Sequence, residues 1–243
     1  MTDLVVLCYH AVSRDWPAAL SVRPEALERQ LTFLSKRGYR GVPVTEALDE
    51  QSGRAVAITF DDAYRSVLEL AKPILDRLDM RASVYVPTNW PDRDGPMTWP
   101  GIAHWVGGEY EHELSCMSWD ELRGLADAGW EIGSHTCSHP RLAELASEDE
   151  IAAELEGSRM ACEERLGGRC RSIAYPYGSY DERVVEAAGR TGYDYGLTLP
   201  EGLRGPRPLA WPRIGIYNAD ATWRWRLKLS PTMRRARALR AWE

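Results

Sequence analysis

No apolar run in this chain approaches the roughly 20 residues that a membrane-spanning helix needs, so no spanning helix is expected. The opening MTDLVVLCYHAV lacks the basic start and the small-residue cleavage site of an export signal, and its apolar stretch ends at His10. It reads as a first strand, and the expected location is cytoplasmic. The five cysteines (Cys8, Cys116, Cys137, Cys162 and Cys170) are odd in number and include no C-x-x-C pair. That argues against a disulfide framework and fits a reducing compartment. Phenylalanine is almost missing, two residues against ten tryptophans. No repeat or low-complexity linker interrupts the 243 residues, which suffice for one large α/β domain.

Net positive charge is confined to the end of the chain. The whole chain carries −6, but from Ala221 onward seven Arg and Lys face Glu243 alone, a local +6 that leaves −12 on the rest. An acidic body argues against nucleic-acid binding. The reading is a catalytic body over 1–220 and a basic, amphipathic, helical tail over 221–243, in which Trp223, Trp225, Leu227 and Leu229 alternate with basic residues. Such a tail suits peripheral contact with an anionic membrane or a phosphate-bearing substrate, or simply a solvated helix.

Strand and helix signals alternate along the body. LVVLCY, AVAITF, ASVYV, WEIGSH, SIAYPYG, 193–198 and 213–217 read as strands. Between them run a helix from Pro24 to Gly38, one interrupted at Pro73, and two opened by the capping boxes Ser118/Glu121 and Ser147/Glu150. Repeated strand–helix units imply a parallel sheet, open or closed into a barrel, whose polar strand ends gather at one face. Asp61, Asp62, His10, His135 and Tyr177 all fall at strand ends.

Two adjacent aspartates after a buried strand are costly unless something compensates their charge. His135 and His139, four apart in SHTCSHP, can turn both imidazoles to one side, as metal chelation needs. With one carboxylate from Asp61 or Asp62 they make a two-histidine, one-carboxylate set with open positions, leaving the second aspartate free as a general base. A simpler role for Asp62 is capping the helix that follows. An iron oxygenase shares the ligand set, although its usual motif order and β-rich fold differ.

TFDDAY, SHTCSHP and YPYGSY, in this order, resemble the signature motifs of the polysaccharide deacetylase (NodB-homology) family of carbohydrate esterases, and the similarity runs from about Leu4 to Ile216. The resemblance implies a distorted (β/α) barrel of about seven parallel strands with one divalent metal, usually zinc, at its mouth. The implied reaction removes an N-acetyl group from an amino sugar: a glycan precursor, a lipid-linked sugar or a natural-product glycoside. It further implies Asp62, His135 and His139 as metal ligands, Asp61 as catalytic base, and the Tyr177 backbone N–H as oxyanion donor. An N-formyl substrate, or an impaired sugar-binding member, are the alternatives.

Three departures stand out. Ala63 replaces the usual glycine, a change of little chemical weight. Ala174 stands where many members carry an arginine that orients the base, so Asp61 is expected to lack that partner. The C-terminal leucine-x-histidine motif is missing, since His139 is the last histidine. VVLCYHAV is similar to the start of bacterial poly-N-acetylglucosamine deacetylases, in which that last motif is circularly permuted to the N-terminus. The resemblance therefore implies His10 as the general acid, across the site from Asp61. Trp90, Trp99 and Trp105, in the long loop after VYVP, are candidates to overhang the mouth and stack on sugar rings. Trp211 is a candidate for the acetyl pocket, and His104 and His112 are expected on the surface.

Overall fold

The computed structural model describes residues 3–50, 53–199, 206–220 and 222–230. Its strands are β1 (Asp3–Tyr9), β2 (Ala11–Val12), β3 (Ser21–Val22), β4 (Arg40–Val42), β5 (Arg54–Phe60), β6 (Ser83–Val86), β7 (Glu131–Ser134), β8 (Ser172–Ala174), β9 (Tyr195–Thr198), β10 (Trp211–Pro212) and β11 (Ile214–Gly215). The α-helices are α1 (Pro24–Ser35), α2 (Val44–Glu50), α3 (Lys72–Arg77), α4 (Trp119–Asp127), α5 (Glu148–Leu166), α6 (Glu182–Thr191) and α7 (Thr222–Leu229).

Every strand pairing in the main sheet is parallel, in the order β10-β9-β8-β7-β6-β5-β1-β11. β10 pairs with β9 and β11 pairs with β1, with only Arg213 between them. The segment 211–215 therefore closes the sheet into a barrel. The short β4, not anticipated from the sequence, lies along the start of β5, and β6 takes over at Thr59↔Ser83. Counting 211–215 as one strand, the barrel has eight strands, close to the expected seven.

Strand alternation decides what fills the interior. In β1 the inward series is Leu4, Val6 and Cys8, leading to His10; in the register-matched β5 it is Ala55, Ala57 and Thr59, leading to Asp61. Small inward residues make room for large ones. Gly133 is required because a Cβ there would lie 2.4 Å from the ring of buried Tyr85. Arg213 sits above that ring, its Cζ 5.8 Å from the centroid. The same inward series that builds the core thus ends in Asp61 and His10 at the mouth.

The outer layer follows the helical signals. α1 starts on Pro24 and buries Leu27, Leu31 and Leu34. The capping boxes at Ser118 and Ser147 both form. Replacing Ser147 by Ala should lower stability by about 1 kcal/mol. Chemical denaturation would register that as a shifted midpoint with an unchanged slope; an unshifted midpoint would mean the cap adds nothing. Pro73 interrupts its helix as expected: it falls in the first turn of α3, directly after a π-helical turn over Val67–Ala71 that absorbs the missing N–H. In α7, Trp225 is 1% exposed and packs edge-on against Phe33, so this part of the basic tail shares the core of the body. The rest of the tail, 231–243, lies outside the described residues. No helix among the described residues is long and apolar enough to cross a membrane.

Candidate active site

The C-terminal ends of β1, β5, β7 and β8 deliver the predicted residues to one face of the barrel. Asp61, Asp62, His135 and His139 are all buried there, and His10 is 8% exposed. Of the seven non-glycine residues with positive φ among those described, five belong to this cluster: Asp62, Ala63, Thr136, His139 and Tyr177. Left-handed backbone costs about 1–2 kcal/mol per residue for side chains with a Cβ, and its concentration here marks a site whose geometry outweighs local preference. Ala63, at φ 53°, is one such position. The glycine usual in the resembled motif would adopt that conformation freely, so the substitution bears on backbone strain.

Asp62 Oδ1 lies 3.3 Å from His135 Nε2 and 3.2 Å from His139 Nε2. The other ring nitrogen of His135, Nδ1, is 2.7 Å from the Ala174 carbonyl, which can only accept a hydrogen bond. That contact places the proton on Nδ1 and leaves Nε2 with its lone pair in the neutral ring. Lone pairs of a carboxylate and an imidazole then face each other in a buried space, and Asp62 Oδ1 has no hydrogen-bond partner among the described residues. Burial pushes the His139 imidazole down toward its neutral form, in which Nε2 can offer a second lone pair to the same point. A cation resolves the conflict. Donor atoms about 2.1 Å from a common tetrahedral ion lie about 3.4 Å apart, so the spacing of Asp62, His135 and His139 fits a divalent metal.

The greatest departure from expectation concerns Asp61, which does have an arginine. Arg213 donates from Nη1 to Oδ1 at 2.6 Å and from Nη2 to Oδ2 at 2.7 Å, with both residues buried. Nη1 also reaches Thr59 Oγ1 at 3.0 Å. Ala174 is indeed no substitute; the partner arrives on the barrel-closing segment instead, 152 residues away in sequence. A signal was present: Arg213 is a charge inside the apolar LAWPRIGIY, and a charged residue facing inward from a strand needs a carboxylate. Burial alone would raise the Asp61 carboxyl, but the Arg213 charge outweighs it and holds the carboxyl at about 2. Asp61 is therefore ionised at neutral pH.

His10 does point into the site, but beside Asp61 and not across from it: its Nε2 is 4.0 Å from Asp61 Oδ2. The Cys8 thiol reaches the same oxygen at 3.4 Å. Cys8, His10 and Asp61 thus form a second cluster of ligand-type atoms. Because the Arg213 fork occupies both oxygens of Asp61, that cluster is a poor place for a metal. Burial lowers the His10 imidazole below its ordinary value, and its Nδ1 has no partner among the described residues.

Tyr177 borders the cluster at φ 59°. Its ring packs edge-on to His139 at 4.7 Å, its hydroxyl donates to the Pro100 carbonyl at 2.8 Å, and Arg141 lies over its face at 4.0 Å. The 87–116 loop does overhang the mouth, for Trp99 stacks on His139 with centroids 4.2 Å apart. The tryptophans are packing residues, however. Trp90 and Trp99 are buried edge against face and offer no open ring to a sugar, whereas Trp105 is half-buried and packs edge-on against Trp16. Trp211 is half-buried in the barrel wall, and His104 and His112 are exposed.

Known proteins resemble this chain in sequence and fold. Poly-beta-1,6-N-acetyl-D-glucosamine N-deacetylase of Staphylococcus aureus (strain MRSA252) is 27% identical over 211 residues, covering 81% of this chain and 68% of its own length. YxkH of Bacillus subtilis (strain 168) is 27% identical over 205 residues, 82% of this chain and 65% of its own. The chain thus spans about two thirds of the length of these relatives. Among solved structures, Streptococcus pyogenes deacetylase PplD in complex with acetate superposes with a TM-score of 0.75 at 23% identity, covering 94% of this chain and 98% of that one. IcaB from Ammonifex degensii gives a TM-score of 0.73 at 24% identity, covering 96% and 98%. Both likenesses establish the barrel. Residues 49–196, which carry Asp61, Asp62, His135, His139 and Tyr177, match the model of one family, and the chain belongs to it: polysaccharide deacetylase.

Proposed function

We propose that this chain is a metal-dependent N-deacetylase acting on an N-acetylglucosamine glycan, with Asp62, His135 and His139 holding one divalent ion, zinc by its nitrogen and oxygen donors. The observation that carries the reading is the uncompensated Asp62 Oδ1 facing two imidazoles, directly beside an aspartate held ionised by Arg213. The bound ion would supply Lewis acidity that polarises the amide carbonyl and acidifies water.

The chain's own residues do the rest. Asp61 accepts a proton from the attacking water as its oxygen bonds to the acetyl carbon. Arg213 orients Asp61 and keeps it anionic between turnovers. The Tyr177 backbone N–H donates to the oxyanion that develops on the carbonyl oxygen. His10, 4.0 Å from Asp61, can take the proton onward and deliver it to the nitrogen as the C–N bond breaks, releasing acetate and the free amine. A lowered imidazole pKa favours giving the proton up. The side-by-side placement of Asp61 and His10 supports such a relay.

The Staphylococcus aureus relative is named for a β-1,6-linked N-acetylglucosamine polymer, so oligomers of that linkage are the first substrates to try. N-formyl amino sugars follow, since the same steps serve any small acyl amide. Acetate release that a chelator abolishes and zinc restores would support the reading. In this assay His10→Ala should lose about a hundredfold or more in turnover while retaining the ion. Undiminished turnover would remove His10 from the mechanism, and no acetate from any N-acyl sugar would leave the impaired, sugar-binding alternative.

A further inference from the structure

A further cavity lies apart from the metal site. It is a space of about 520 Å³ between α1, the segment after β11, and α7. The α1 face that lines it repeats every three or four residues as Arg23, Ala26, Arg29, Gln30 and Phe33. Arg226 enters from α7, and Tyr217 and Asn218 from the connecting segment.

Its polar lining consists almost wholly of donors. Arg23, Arg29 and Arg226 have no carboxylate partner among the described residues, in a chain whose guanidiniums mostly pair with Asp or Glu. Gln30 accepts from the Tyr9 hydroxyl at 2.8 Å through its carbonyl, which leaves its amide N–H groups. The Trp225 indole N–H is buried with no hydrogen-bond acceptor at bonding geometry among the described residues. One carboxylate lines the cavity, Asp220, and it is already neutralised by Lys228 at 2.6 Å while accepting from the Tyr217 N–H at 2.9 Å. Three uncompensated guanidiniums therefore converge on one concavity of an acidic protein. Arg226 is held over the Phe33 ring, 4.9 Å from the centroid, and so is partly preorganised.

The cavity also adjoins the reaction centre. Tyr217 lines it, and the ring of Tyr217 stacks on His10 with centroids 6.4 Å apart. One aromatic ring therefore lies between the donor-lined cavity and the imidazole beside Asp61.

We propose that this cavity binds a phosphate or diphosphate group, placing the phosphorylated end of an amino-sugar substrate on the far side of Tyr217 from His10. Guanidinium forks match phosphate oxygens bidentately, and a lining dominated by three guanidiniums disfavours cationic ligands. The proposal rests on the deacetylase reading for the sugar but not for the phosphate. The shared chemistry is a phosphate ester, and its sources are a sugar phosphate or a phospholipid headgroup. The second would give the exposed Trp223 and Leu227 of α7 an anionic bilayer to meet.

The test is calorimetric titration of the full chain with inorganic pyrophosphate, alongside the variant Arg23→Gln/Arg29→Gln/Arg226→Gln. All three arginines are exposed, so the fold does not depend on them. The expected result is binding that weakens with added salt and is about tenfold or more weaker in the variant. No heat from the wild-type chain, or equal affinity in the variant, would overturn the proposal. Two further arms identify the source. A variant KM that rises for UDP-N-acetylglucosamine relative to neutral N-acetylglucosamine oligomers points to a sugar phosphate. Lost cosedimentation with phosphatidylglycerol vesicles points to a headgroup. If no sugar is deacetylated by the wild type, the functional reading fails while the pyrophosphate titration still decides the cavity.

Discussion

Asp61→Asn should lose turnover by about 10²–10⁴-fold and, in the same protein, stability by about 3–5 kcal/mol. The two losses have different causes. Turnover falls because an amide cannot accept the proton of the attacking water. Stability falls because Arg213, 1% exposed, is left with a buried positive charge and no anion. Breaking one side of a buried ion pair costs more than the pair is worth, because the desolvation of the remaining charge is no longer offset. In a barrel of this size that is a drop of roughly 10 °C in melting temperature.

The double variant Asp61→Asn/Arg213→Met separates the two effects. It removes both charges and fills the space with an apolar chain, so most of the lost stability should return while turnover stays at the Asp61→Asn level. Arg213→Met alone should also destabilise the fold, and it should release the Asp61 carboxyl upward from about 2. Melting curves with acetate release on the same four proteins complete the cycle. Additive stability losses in the double variant would show that the two side chains do not act as a pair. Full activity of Asp61→Asn would remove Asp61 as the base.

This pair also marks the boundary of what the sequence could convey. The alternation of strands and helices, both capping boxes, the interruption at Pro73 and the gathering of Asp62, His135 and His139 were legible because each depends on neighbours a few residues apart or on a strand end. The partner of Asp61 was not, because Arg213 reaches it only after 211–215 closes the barrel between β9 and β1. The short β4 carries too few residues to show a period, and its place is set by β5 and β6. The tryptophans misled for a different reason. A Pro- and Gly-rich loop reads as exposed, yet Trp90 and Trp99 pack edge against face beside His139 and join the main core. His10 was placed at the correct end of the barrel by strand direction, but which side of Asp61 it occupies depends on the register of β1 with β5, where Cys8 faces Thr59.

Zinc added to chelator-treated protein should raise its stability by about 4 kcal/mol at a thousandfold excess over the dissociation constant, again roughly 10 °C in melting temperature. The gain follows from linkage, since the folded chain alone brings Asp62, His135 and His139 within 4.8 Å of one another. It should vanish in Asp62→Ala and in His139→Ala. It should persist in His10→Ala, whose imidazole faces Asp61 and not the three-donor cluster. The two metal-site variants also differ in how far they destabilise the chelated protein. Asp62→Ala removes a buried carboxylate that has an unpartnered oxygen, so part of its cost is repaid by the lost desolvation penalty. His139→Ala removes a ring stacked on Trp99 and leaves a cavity as well as the uncompensated Asp62. Metal-free His139→Ala should therefore be the less stable of the two, by about 1–3 kcal/mol. If neither zinc, cobalt, nickel nor manganese shifts the melting temperature of the parent chain, Asp62 must be held by imidazolium charge alone, and the three residues form a structural knot in place of a metal centre.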